Sequence, residues 1–242
     1  EDLLERDPIV INNNQIRSQI KGKRVLVTGA AGSIGSEIVR QLIPYAPEMI
    51  IMCDQAETPL HNIELELQER GTRVNGISFL ADITNEKRIE DLFESFKPHY
   101  VYHAAAYKHV PIVENNICEG ILNNVLGTLN CIESSITHEV NQFILISTDK
   151  AVRPTNVMGA SKRVAEMILQ AYANDQKDTK ISMVRFGNVL GSSGSVVPKF
   201  RQQIATGGPI TLTHAEITRY FMTIPEAAQL VIQASAMSEG GE

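Results

Sequence analysis

The sequence predicts an α/β fold: a doubly wound parallel sheet of the Rossmann type, followed by a small irregular C-terminal part that faces a substrate. Three observations predict it. Short apolar runs alternate with longer amphipathic stretches from residue 24 to residue 185. The runs are apolar throughout, the pattern of strands covered on both faces. The first run feeds straight into a glycine-rich turn, Gly29-Ala-Ala-Gly32-Ser-Ile-Gly35, which opens a helical pattern. Strict strand–helix alternation is the mark of parallel βαβ units.

The elements follow in order. Residues 1–22 read as a polar leader or linker, with Asn12-Asn13-Asn14 and a lysine-rich exit at Lys21-Gly22-Lys23. The acidic start without an initiator Met is expected of a piece of a longer protein. Residues 23–186 read as the sheet-bearing domain. Strands are expected at 24–28, 49–53, 76–80, 99–103, 142–146 and 180–185. Helices are expected at 33–42, 59–69, 86–96, 117–138 and 157–173. In 187–242 the texture changes. Gly187, Gly191, Gly194, Gly207 and Gly208 break the chain into short pieces, and 225–237 reads as one more helix.

Composition excludes several functions. Apolar residues make up 43% of the 242 and charged residues 21%, enough apolar material for a packed core. The net charge of -6, without a Lys/Arg block, argues against nucleic acid as a partner. No apolar run reaches 18 residues, so no membrane contact is expected of this stretch. Cys53, Cys118 and Cys131 are scattered without metal-ligand spacing and read as small buried hydrophobes. No metal site is expected.

The glycine turn points to a dinucleotide. Gly29, Gly32 and Gly35 permit a tight turn and a close approach of backbone to a pyrophosphate. Ser33 and Ile34 open the helix whose N-terminal N–H groups would face it. Asp54 lies 19 residues beyond Gly35, at the end of the next strand. A carboxylate there hydrogen-bonds ribose hydroxyls and repels a 2′-phosphate, so NAD is favoured over NADP. Asp82 and Ile83 follow the third strand, and Ala104, Ala105 and Ala106 follow the fourth. Both groups lie at the carboxyl edge, where ligands sit. Asp82 serves equally well as an N-cap for a helix over 84–96.

A second cluster follows the fifth strand: Thr148, Asp149 and Lys150, then Met158 and Lys162 at the start of a helix. Two lysines, a carboxylate and a hydroxyl thus converge where a nicotinamide ring would lie. A lysine on the first turn of that helix can hold the nicotinamide ribose and alter neighbouring pKa values.

With these residues in view, the chain resembles the extended short-chain dehydrogenase/reductase family. The resemblance rests on TGAAGSIG, HAAAYKHVP, STDKAVRPTNVMGASKRVAE and RFGNVLGSSGSVVPKF, and spans about residues 5–242. Within that family the chain is similar to the membrane-anchored bacterial UDP-N-acetylglucosamine 4,6-dehydratases of surface polysaccharide and protein glycosylation. The wider family places Tyr four residues before the helix lysine. Here Met158 stands there, and methionine cannot ionise. The resembled branch carries the same Met, which implies that residues 148–150 supply the proton chemistry.

The resemblance implies an internal redox reaction. Hydride leaves sugar C4 for tightly bound NAD, water is eliminated across C5–C6, and the hydride returns to C6. Thr148 is expected to hydrogen-bond the 4-hydroxyl. Asp149 protonates the departing 6-hydroxyl, Lys150 takes the C5 proton, and Lys162 holds the ribose. Asn124 joins the cofactor set. Lys108, His109, Asn188, Val189, Ser195, Val196, Lys199, Thr211, Thr213 and Arg219 are expected to bind the UDP-sugar. Ser195, Val196 and Lys199 would open a helix, and Thr211 and Thr213 would flank a short strand. Two other readings stay open: a UDP-sugar 4-epimerase, or a non-catalytic NAD-binding sensor. A homo-oligomer is possible. The resemblance further implies a cytoplasmic domain of a protein anchored in the inner membrane.

Overall fold

The computed structural model describes residues 9–176, 178–192, 196–212, 214, 216 and 220–242. Six parallel strands form the central sheet: β1 (Arg24–Thr28), β2 (Met49–Asp54), β3 (Asn75–Leu80), β4 (Tyr100–His103), β5 (Gln142–Thr148) and β6 (Lys180–Phe186). Their spatial order is β3-β2-β1-β4-β5-β6. Val25 pairs with Ile50 on one side and with Tyr100 on the other. The order therefore reverses at β1, and a crevice opens between the carboxyl ends of β1 and β4, where ligands of such sheets bind.

Alternate residues of each strand feed opposite cores. Val25 and Val27 point to one face with Ile50, Met52, Tyr102 and Ile144. Helices α1 (Asn13–Ile20), α2 (Ser33–Leu42), α3 (Glu57–Glu69) and α10 (Ile224–Met237) cover that face. Leu26, Ile51, Val101 and Leu145 point to the other face. It is covered by α4 (Glu86–Phe96), α7 (Gly127–Thr137) and α8 (Val157–Asp175). This is the expected doubly wound arrangement, and each of the six strands lies within two residues of its predicted bounds.

Two boundaries are corrected. The supposed leader carries α1, begun by Asn12, whose side chain accepts from Gln15 N–H. Ile16 and Ile20 are fully buried in the sheet's own core, so this segment is part of the folded unit. Likewise α10 packs on α2 and the sheet through Ala228, Val231 and Ile232. Residues 187–242 are therefore not wholly substrate-facing. Beyond α10, Gly241 N–H donates to the Ile181 carbonyl (2.7 Å) and Met183 N–H to the Glu242 carbonyl (2.8 Å), tying residues 241 and 242 to the free edge of β6.

The long helix expected at 117–138 is interrupted. It runs as α6 (Ile117–Ile121), a π turn over Leu122–Leu126, and α7. Single π turns displace the helix register and turn side chains to new directions. A short α5 (Val110–Asn115) precedes it. Past β6 lie β7 (Asn188–Leu190), α9 (Val196–Ala205) and β8 (Phe221–Thr223), with β7 and β8 forming a separate parallel pair. Cys53 and Cys131 are buried as expected, but Cys118 is exposed. Among the described residues no helix is long and apolar enough to cross a membrane.

Candidate active site

The glycine turn is held from both sides. Gly29 adopts φ +65°, and a Cβ there would meet the Ala105 backbone nitrogen at 2.6 Å. No larger residue fits so close an approach of β1's turn to the segment after β4. Gly32 is the N-cap of α2, with Ser33, Ile34 and Gly35 in its first turn. A helix cannot satisfy its own first N–H groups, so they face outward. Asp54 closes the other end. Its carboxylate accepts from Ala31 N–H (2.9 Å) and Ala56 N–H (3.0 Å), which leaves further lone pairs for a ligand.

Gly29, Gly32 and Asp54 line a cavity of about 140 Å³ with Ala81, Ile83, Ala104, Ala105, Ala106, Tyr107 and Asn123, whereas Ser33 and Gly35 do not reach it. Glycines and alanines leave its floor as bare backbone. A flat, polar-edged ligand fits such a floor, and a carboxylate at one end suits ribose hydroxyls. The lining thus fits a dinucleotide without a 2′-phosphate.

The structure places Asp82 and Asn124 differently. Asp82 is not the cap of α4: Asn85 is, accepting from Arg88 N–H (3.0 Å), while Asp82 is exposed and turns back on Thr84 N–H (2.8 Å). Asn124, on the π turn, is fully buried. Its carbonyl accepts from Tyr107 N–H (2.8 Å) and Asn123 (3.1 Å). Its amide donates to the Tyr107 carbonyl (2.9 Å) and Ser161 Oγ (3.0 Å). All four hydrogen-bonding positions are committed, so it braces the groove from behind. Its neighbour Asn123 lines the cavity instead.

A second cavity, about 270 Å³, adjoins the first and shares Ala104, Ala106 and Tyr107 with it. Thr148, Lys150, Met158 and Lys162 line it, together with Ile34, Lys108, His109, Asn188 and Val189. Thr148 Oγ1 donates to Asp149 Oδ1 (3.0 Å). Lys150 Nζ donates to the same oxygen (3.1 Å) and to Asn188 Oδ1 (3.4 Å). The structure therefore joins Thr148, Asp149 and Lys150 in one hydrogen-bonded group, half open to solvent. Gly159 makes this possible: its Cα faces the Lys150 carbonyl so closely that any Cβ would clash.

Lys162 sits deeper, at 4% exposure, and donates to the Ile146 carbonyl (2.8 Å). Burial lowers its pKa to about 8, with nearby Glu166 opposing. Glu166 is fully buried; burial would raise it, but hydrogen bonds from Arg185, Ser147 and Arg163 hold it below the usual value. Partial desolvation at the cavity wall lowers Lys108. Met158 is buried against the same cavity.

Other expected contacts are scattered. Val196 and Lys199 lie in the first turn of α9, none of whose described residues is buried, and neither lines the cavity. Among the described residues Thr211 flanks no strand: it is exposed and bonded to Gln203 (3.0 Å), and the nearest described strand is β8. Ser195, Thr213 and Arg219 lie outside the described residues. Sequence reading missed Asn123, Tyr107, Phe186 and Ser192. Of these, Tyr107, just past the carboxyl end of β4, and Phe186, at the end of β6, carried a positional signal.

The chain matches the model of a family described as polysaccharide biosynthesis protein over residues 25–242. It is 52% identical to the capsular polysaccharide biosynthesis protein CapD of Staphylococcus aureus, covering 100% of this chain and 41% of that one. It spans less than half the length of such relatives. It is 33% identical to the UDP-N-acetylglucosamine 4,6-dehydratase (inverting) of Campylobacter jejuni, over 91% of this chain and 66% of the relative. A UDP-glucose 4-epimerase of Rickettsia canadensis matches at the same 33%, over 91% and 64%. Among solved structures, Pen from Bacillus thuringiensis superposes with a TM-score of 0.86 at 34% identity, covering 92% and 68%. The UDP-glucose 4-epimerase of Thermus thermophilus, in complex with NAD, superposes with 0.74 at 25%, covering 88% and 74%.

Proposed function

The chain belongs to the polysaccharide biosynthesis protein family, and on that premise we propose that it is the catalytic core of an NAD-dependent UDP-N-acetylglucosamine 4,6-dehydratase. The product would be a UDP-4-keto-6-deoxy sugar for a bacterial surface glycan. The observation that carries the proposal is that Met158 lines one cavity with Thr148 and Lys150, both hydrogen-bonded to Asp149. Where the wider family holds an ionisable phenol, this site holds a thioether. Proton transfer then falls to the hydrogen-bonded group beside it.

NAD, when bound, supplies the hydride acceptor at C4 and the hydride donor at C6. The chain's residues do the rest. The turn at Gly29–Gly35 with Asp54, Ile83 and Ala104–Ala106 holds the dinucleotide. Lys162 holds the nicotinamide ribose and adds positive potential. Thr148 takes the 4-hydroxyl proton and passes it along its hydrogen bond to Asp149. The 4-keto group acidifies C5, and Lys150, acting as the free amine, removes that proton. Asp149 protonates the 6-hydroxyl, which departs as water. Lys150 then returns a proton to C5. One water leaves, and no redox equivalent is consumed. Lys108, His109, Asn188 and Val189 are assigned to the sugar and its diphosphate, with Lys199 and Thr211 as outer contacts; Arg219 is assigned to the diphosphate on the resemblance alone. The relatives' greater length supports reading the chain as a domain of a larger protein, and the resemblance to membrane-anchored dehydratases supports placing that protein at the inner membrane.

The epimerase reading shares C4 oxidation, and relatives named for that activity match equally well. Met158 favours the dehydratase, because simple epimerisation needs one base at the 4-hydroxyl and no acid at C6. Incubation with UDP-N-acetylglucosamine and catalytic NAD tests the choice. A 4-keto-6-deoxy product absorbs in alkali, whereas an epimer does not and would overturn the proposal.

A further inference from the structure

Tyr107 lines both cavities, at the waist between them. Its main chain is fixed: the Asn124 amide grips both its N–H and its carbonyl. Behind Asn124 runs a buried chain of hydrogen bonds. Thr128 Oγ1 donates to the Asn124 carbonyl (2.9 Å) and meets His103 Nε2 (3.0 Å), and His103 Nδ1 meets Thr28 Oγ1 (2.7 Å). Thr128 spends its one proton on Asn124, so His103 donates from Nε2 and accepts from Thr28 at Nδ1. Burial, and Lys162 after it, lowers the His103 pKa to about 3, keeping the ring neutral. The backbone of Tyr107 is thus tied to the end of β1, one residue before the glycine turn.

Its side chain does something different. The exposed Tyr107 hydroxyl accepts from Gln55 Nε2 (3.2 Å). Gln55 follows β2 and Tyr107 follows β4, and β1 lies between those strands. Two strand spacings amount to about 10 Å. The pair therefore spans the groove from wall to wall, above the glycine turn that opens from β1. Gln55 and Tyr107 line the same cavity as Gly29, Gly32 and Asp54.

We propose that Gln55 and Tyr107 form a strap across the adenosine and diphosphate half of the dinucleotide groove, and that this strap sets how fast the cofactor leaves. The proposal rests on the NAD reading above. A cofactor regenerated in each cycle gains nothing from fast exchange, and a bridge made of one exposed hydrogen bond opens without disturbing the core. Both side chains are at the surface, so their replacement leaves the fold intact.

Stopped-flow release of NADH, chased with excess NAD and followed by nicotinamide fluorescence, tests it. Tyr107→Phe keeps the ring and removes the hydroxyl, and Gln55→Met keeps the length and removes the donor. Each is expected to raise the release rate about fivefold, the worth of one neutral hydrogen bond. The double variant is expected to match either single variant, because both break the same bond. Tyr107→Ala, which removes the cover as well, is expected to raise release further. Melting temperatures stay within a degree or so of the parent's. Unchanged release in the single variants, or effects that add in the double variant, would overturn the strap while leaving NAD binding intact. Failure of the parent chain to bind NADH at all would overturn both the strap and the NAD reading.

Discussion

Lys162 carries the most unusual electrostatics of the site. An ammonium in a nearly closed environment costs solvation energy, and burial brings its pKa to about 8. At pH 7 it is still charged, as its proposed role requires. Turnover should therefore fall as pH rises through about 8, and a profile of kcat/KM that stays flat to pH 10 would contradict the role. The same shift acts on stability. The unfolded chain keeps this proton up to about pH 10.4, the folded chain only to about 8. Between those values the unfolded state binds more protons, so stability rises with pH. Denaturant titrations of Lys162→Met should lack that rise. Asp149 and Lys150 behave otherwise. Their side chains are 50% and 34% exposed, and a surface pair contributes at most about 1 kcal/mol. Asp149→Asn and Lys150→Met should each lower kcat by about 10²- to 10⁴-fold with melting almost unmoved. Near-normal turnover in both would end the assignment.

At the scale of elements, α8 and α10 make a useful contrast. Asn156 caps α8 by accepting from Gly159 N–H (2.8 Å), and Thr223 with Glu226 forms a capping box on α10. Replacing either cap by Ala should cost about 1 kcal/mol. Only Asn156→Ala should also lower kcat, because α8 carries Met158 and Lys162, whereas α10 carries no side chain of the cavity. Equal kcat in the two variants would show that the entry of α8 does not position the cluster. Much of this scale was legible in sequence. The strands show as unbroken apolar runs, and Gly29 is required by a local backbone conformation. The rest was not. Ile16 and Ile20 are a full helical turn apart, but Asn12, Asn13, Asn14, Gln15 and Gln19 mask the pattern with polarity. The π turn looks like ordinary helix in sequence. Its change of register is what sends Asn123 to the groove and Asn124 into the core. Gln55 and Tyr107 face each other across β1, which lies between their strands, a fact of topology that no local pattern carries.

At the scale of the whole molecule, the sheet has two separate cores, and α1 and α10 close the same one from opposite ends of the sequence. Asn12 N–H donates to Gln233 (2.6 Å), and Gln15 donates to the Ala236 carbonyl (2.8 Å). Ile20→Ala should therefore destabilise the chain by about 2–5 kcal/mol, as for any fully buried isoleucine. Val10→Ala, at an almost wholly exposed position, should leave urea unfolding unchanged. Equal effects would mean that the N-terminal helix is not part of the cooperative unit. This open sheet holds the glycine turn, the groove and the cluster at one carboxyl edge, and the proposed activity depends on that shared edge. Proton NMR of the reaction with UDP-N-acetylglucosamine in deuterated water tests it most directly. The expected product is a 4-keto-6-deoxy sugar that has taken up deuterium at C5, with no accumulation of NADH. A C4 epimer without deuterium at C5, or unchanged substrate beside tightly bound NAD, would contradict it.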